Sequence, residues 1–405
     1  MASPRSLLAT ATGGVGAVRE HQTTIFERLR EIHAKVERHD PVAPSVAIFC
    51  CVLALSALGM LVQASHAATT LAPSEFTAEL LEQVLFRTGG VVVMLLAARI
   101  GTQGVRRYIP ALLVVMALLL MLVFVPGVGS QINGSHRWID LVVVKFQPSE
   151  LARIVVVLWV ADRCTKLGTL VTDWRKGVVP VLGLICFYAG LVAIETDFGG
   201  ASLLFLCAAA TLWIGGAHTR HVVMPLSVAG TSLMVVGFTL IPYIRKRILM
   251  FFGAHNNQQV ADAKSAIASG DLFGLGYAHG PLRNHGVPYL ESDFVFAQVG
   301  EELGFFGMLV VIGLFVALLW YGLRLVLSIK DRFDALATFG LMISTCLQGM
   351  LHVQIVAGLA PPKGMTLPFL SHGGTSLIVS SLGVGLALGA ARRWSTEREQ
   401  VVTGP

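Results

Sequence analysis

The chain has 405 residues, of which 54% are hydrophobic and 13% charged, about half the charged share of an ordinary soluble domain. At a mean hydropathy of +0.71 the apolar surplus exceeds what an aqueous core holds, which excludes a soluble globular enzyme and predicts a polytopic membrane protein. The net charge of +6 reads as membrane topology, and nucleic acid is not an expected partner.

Residues 1–44 are a polar, mixed-charge tail without an early apolar run and small-residue cleavage site, so no cleaved signal peptide is expected. Within it Ile25, Leu29, Ile32 and Val36 fall on one stripe, suited to a membrane-surface helix or a partner contact, with a solvated tail as the alternative. From 45 to 393, apolar stretches near the roughly 20 residues that span a bilayer begin close to residues 45, 84, 109, 148, 178, 199, 221, 298, 335 and 367. These predict an all-α membrane domain of about ten transmembrane helices, with a long outer loop, 244–297, between helices 7 and 8 and a tail at 394–405. With both termini in the cytoplasm, most lysines and arginines fall on the inner side. The exceptions include Arg137, Lys145, Arg245, Arg247 and Lys363 on the outer side, where topology does not require cations and an anionic ligand would.

The outer segments also carry the polar chemistry. GSHRWID (134–140) sets Arg137 beside Trp138, an arrangement suited to an interfacial phosphate. In FQPSELAR (146–153), Glu150 and Arg153 lie three apart on one helical face and are expected to pair and to hold helices together. ETDFGG (195–200) places Glu195 and Asp197 between two spans, and LAPPKGMTLPFLSHGGTS (359–376) joins the last two spans with Lys363 in its middle. Between Tyr289 and Gly307 the sequence YLESDFVFAQVGEELGFFG puts Asp293 at the lip of an apolar run, where burial would raise its pKa toward that of a usable general base. Glu301 and Glu302 at the same helix start read first as complements to the helix dipole. The six cysteines form no CxxC and read as packing residues, and neither GxxxxGK[ST] nor GxSxG occurs.

FQPSELAR, ETDFGGA, AIASGDLFGLGYAHG, ESDFVFAQVGEELGF and LPFLSHGGTSLI, in this order and spacing, resemble the SEDS family (shape, elongation, division and sporulation), whose members include RodA and FtsW. The likeness runs from about residue 130 to 393. It implies a peptidoglycan glycosyltransferase of the bacterial cytoplasmic membrane that polymerises lipid II, the undecaprenyl-pyrophosphate-linked disaccharide pentapeptide, beside a class B penicillin-binding protein, among membrane lipids. The family's catalytic aspartate lies in a Pro-x-x-x-Thr-Asp-Phe stretch, matched here by Pro288, Ser292, Asp293 and Phe294. By the same resemblance Arg137, Arg245 and Arg247 match substrate-side arginines, and Gln147 to Glu150 with Arg153, Asp197, Glu301, Glu302 and Ser371 match supporting motif positions. Departures stand at His372 for Tyr, Lys363 for Thr, Glu195-Thr196 for Gln-Pro, Glu291 for His and Asp262 for Gln.

Chemistry and resemblance meet at Asp293. Transfer from lipid II needs a base for the acceptor hydroxyl and cations for the departing pyrophosphate. Asp293 is expected to supply the first, and Arg137, Arg245, Arg247 and Lys363 the second. A divalent cation such as Mg or Mn would share that task, although no ligand set in the sequence identifies one. The alternatives are a lipid-linked precursor flippase, with the charges lining a translocation path, and a non-catalytic scaffold that recruits a penicillin-binding protein.

Overall fold

The computed structural model describes residues 41–132, 135–140, 145–240, 242–251, 258–280, 290–361 and 363–403. The stripe at Ile25 to Val36, Pro288 and the side chains of Glu291 and Arg247 lie outside what is described. In chain order the helices are α1 (Val42–Thr70), α2 (Pro73–Arg106), α3 (Ile109–Leu122), α4 (Pro148–Leu167), α5 (Val179–Ile194), α6 (Phe198–Ile214), α7 (Thr219–Leu240) and α8 (Pro242–Phe251). They continue with α9 (Gln258–Ser269), the single turn α10 (Leu290–Asp293), α11 (Val295–Ser328), α12 (Arg332–Val356) and α13 (Gly374–Thr403).

A helix lies on each apolar stretch read from the sequence, and the protein is a mostly helical, multi-pass membrane protein. Among the described residues, six helices are long and apolar enough to cross a membrane: α1, α2, α5 extended back to Trp174, α11, α12 and α13. Helices α3 and α6 are shorter and apolar. Proline in the first turn starts α2, α3, α4 and α5, where its missing N–H costs nothing. One addition to the all-helical expectation is a small antiparallel sheet between α3 and α4, β1 (Gly129–Ile132), β2 (Ser135–Asp140) and β3 (Lys145–Phe146), in the order β1-β2-β3.

Helix α4 is the centre of the bundle. Its residues from Ala152 to Leu158 are all buried, with α3, α6 and α12 packed around it, as befits a stretch that apart from Arg153 is apolar on every side. The tightest pair is α2 with α13, where small residues let the backbones approach: a Cβ on Gly385 would strike Met94, and one on Gly389 would strike Gly101. Gly101 itself has φ 65° and breaks α2. A second break, at Gly304 of α11 (φ 67°), receives the glycine-rich segment 270–276, whose Leu275 and Gly276 amides donate to the carbonyls of Glu301 and Glu302 at 2.9 and 3.1 Å.

The link from α12 to α13 is clamped to the bundle. Arg87 of α2 donates to the carbonyls of Phe369 and Leu370 at 3.0 and 3.3 Å. Gly59 of α1 lies so close to the same two residues that a Cβ there would overlap their backbone. Phe369 is buried with φ 68°, a conformation that costs a bulky residue on the order of 1–3 kcal/mol and persists only under such constraint.

Candidate active site

Where the link 363–376 meets the start of α4 and the end of α10, a cavity of about 490 Å³ opens. Residues singled out in the sequence line it, among them Asp293, Arg137, Glu150, Arg153, Asp197 and Lys363, with Trp138, Lys145, Gln147 and His372. Asp293 ends α10 just before buried Phe294 and is itself half-buried. Its carboxyl lies against Gly364, where an added Cβ would overlap it. The hydroxyl of buried Ser371 donates to the carbonyl of Ser292 at 2.7 Å and accepts from the Leu367 amide at 2.8 Å, so it ties the link to the residue before Asp293.

Asp197 is the most densely held anion here. It accepts from Lys363 Nζ at 3.1 Å, from Gln147 at 3.1 Å and from the Gly200 amide at 2.8 Å, the last as N-cap of α6, with Arg137 at 3.9 Å. Burial alone would raise its pKa, but Lys363, Arg137 and the Gly200 amide hold the carboxyl below its ordinary value.

Glu195, two residues earlier, shows the opposite balance. It is fully buried, neither carboxyl oxygen has a hydrogen-bond partner, and burial together with the Asp197 charge pushes its pKa up to about 9. It is therefore neutral at pH 7, which makes it an electrical equivalent of the glutamine common at this position in the SEDS motif. An unfolded chain ionises this group in the ordinary carboxylate range. The folded protein should thus lose stability as pH rises from there toward about 9. Glu195→Gln is expected to flatten that decline, and thermal melts at pH 5.5 and 8 should show the variant gaining on the parent as pH rises.

One expectation is corrected. Glu150 and Arg153 do not close an ion pair: Arg153 donates to Gln348 of α12 at 2.6 Å, and Glu150 Oε2 and Arg153 Nε have no partner. The side chain of Arg153 reaches across the helix interface, where Gln348 offers a buried acceptor. Gln348 also donates to the Thr366 carbonyl at 3.1 Å, so it links α4 to the wall of the cavity. Arg245 is exposed on α8, which packs chiefly against α7, and it is not among the described residues that line the cavity.

Glu301 and Glu302 also lie away from the cavity. They are buried under the glycine-rich segment, with Gln298 donating to Glu302 at 2.8 Å, which fits their reading as structural. Sequence reasoning missed Gln348; its one signal was a polar side chain inside an apolar span. Among the described residues, no three His, Cys, Asp or Glu side chains gather as metal ligands.

The family model described as "Cell cycle protein", covering FtsW, RodA and SpoVE, matches residues 45–396. The chain belongs to this family. It is 31% identical over 315 residues to stage V sporulation protein E of Bacillus subtilis, an alignment covering 76% of this chain and 86% of that one. It is 30% identical over 356 residues to the probable peptidoglycan glycosyltransferase FtsW of Trichlorobacter lovleyi, covering 85% and 92%. Among solved structures, a chain of a peptidoglycan synthase complex, described as "Structural coordination of polymerization and crosslinking", superposes with TM-score 0.72 at 27% identity, covering 86% of this chain and 97% of that one. A mutant of the rod shape-determining protein RodA of Thermus thermophilus superposes with TM-score 0.64 at 25% identity, covering 85% and 96%.

Proposed function

We propose that this family member is a peptidoglycan polymerase that extends glycan from lipid II at the outer face of the bacterial cytoplasmic membrane. One observation carries the reading: the Asp293 carboxylate lines the same cavity as Arg137 and Lys363, a base and two cations on one polar surface. Asp293 takes the proton of the acceptor sugar hydroxyl as that oxygen attacks the donor's anomeric carbon. The bond to pyrophosphate breaks, and Arg137 and Lys363 stabilise the charge that develops on the leaving lipid pyrophosphate.

The names of the relatives support the polymerase reading, as does the bundle itself. Below Arg153, α4 is apolar and enclosed from Ile154 to Leu158, which gives a translocated headgroup no polar path. The peptidoglycan synthase complex among the structural relatives supports a penicillin-binding protein, of class B by the family resemblance, as partner.

Purified full-length protein given labelled lipid II, with and without a cognate penicillin-binding protein, tests the function directly. Glycan ladders are the expected product, and lipid II carried across vesicles without polymer would overturn the reading. A finer test uses the contact at Gly364. Gly364→Ala puts a methyl group where the Asp293 carboxyl sits, and misplacing a reacting group by about 1 Å costs roughly 10²-fold in rate. Polymerisation should fall on that scale while the melting temperature stays near that of the parent.

A further inference from the structure

A second cavity, of about 370 Å³, lies at the other end of the same helices. Its walls are the stretch of α2 around the Gly101 break and the α13 segment Gly389 to Arg393, and its floor includes Asp334 at the start of α12. The first cavity touches Glu82 of α2 and Gly374 of α13; this one touches Arg99 and Arg392. At 1.5 Å per residue those separations are about 25 Å and about 27 Å, close to the thickness of a bilayer's hydrocarbon core. The two cavities therefore sit at opposite membrane surfaces, and this one sits where the basic side of the protein meets the inner leaflet.

Among the described residues, Arg99, Arg392 and Arg393 line this recess together with the carboxylate of Asp334, and Asp331 lies nearby, accepting from Gln103 at 3.0 Å. The Asp334 carboxylate is already engaged: Thr102 donates to it at 2.6 Å and Arg393 stands 3.9 Å away. The rim is apolar, with Ile100 59% exposed and Leu96 51% exposed one turn above it on α2. A cationic recess at headgroup depth, continuous with an apolar strip along a spanning helix, matches a molecule with a phosphate at one end and acyl chains at the other. We propose that this recess is a binding site for the phosphate headgroup of an anionic phospholipid of the inner leaflet, with Arg99 and Arg392 as its main contacts.

The test uses full-length protein in a zwitterionic detergent, titrated with dioleoyl phosphatidylglycerol, dioleoyl phosphatidylcholine or inorganic phosphate while melting temperature is followed. Saturable stabilisation by phosphatidylglycerol is expected. Its affinity should fall about 30-fold in Arg99→Gln/Arg392→Gln, at about fivefold per surface cation, and stay unchanged in Arg163→Gln/Arg175→Gln on the same basic side. Arg99 is exposed, so Arg99→Gln alone decides the matter, at about fivefold, if the double variant does not fold. Equal weakening in the control pair would reduce the effect to diffuse surface charge. Phosphatidylcholine matching phosphatidylglycerol would leave only acyl-chain binding, and inorganic phosphate matching it would make this a soluble-anion site; each result overturns the proposal.

Discussion

Asp293→Asn should bind lipid II normally and polymerise it roughly 10²–10⁴ times more slowly, the range expected when a general base is lost. The substitution keeps the shape and hydrogen-bonding reach of the side chain and removes its ability to accept the acceptor's proton. Asp293 is half-buried at the end of a single turn whose backbone Ser371 fixes from the other side, so the amide has no reason to move. A lipid II gel assay at saturating substrate, with binding measured separately, distinguishes lost chemistry from lost affinity. Near-parental polymer yield from Asp293→Asn would remove the base from the mechanism, and a normal yield with a failed partner interaction would favour a scaffold.

Asp197→Asn should affect folding before catalysis. The parent carboxylate is buried and compensates Lys363 at 3.1 Å and Arg137 at 3.9 Å. Removing one partner of such a buried ionic group costs about 3–5 kcal/mol, because the remaining charge is left uncompensated. A drop in melting temperature and in yield of folded protein is expected, with partial recovery in Asp197→Asn/Lys363→Met, which removes both charges. The pH dependence has a defined sign. Asp197 titrates below its ordinary range in the fold, so its contribution is complete above the unfolded carboxyl's pKa and disappears as pH falls through the folded value. The parent should lose stability in acid over that window, and the single variant should show a shallower acid limb.

Much of this was legible because membrane spans announce themselves through length and apolarity, and each stretch read as a span holds a helix. The cations of the cavity were legible for a related reason: the positive-inside rule sets an expected topology against which Arg137 and Lys363 stand out. Pairings were less legible. Spacing places Glu150 and Arg153 on one face of α4, but the face is packed against α12, and Gln348 is the nearer partner for the guanidinium. The small sheet escaped notice because GSQI and SHRWID lack the alternation and β-branched content that mark a strand.

The clamp on Phe369 and Leu370 has a consequence for how the enzyme works through repeated turnovers. Two helices grip this turn from either side, one through an arginine and the other through a glycine contact. The conformational entropy of the link that carries Lys363, Gly364 and Ser371 is surrendered once, when the bundle assembles, and not again with each incoming sugar. In the polymerase proposed above, each incoming substrate would then meet the link in the same conformation.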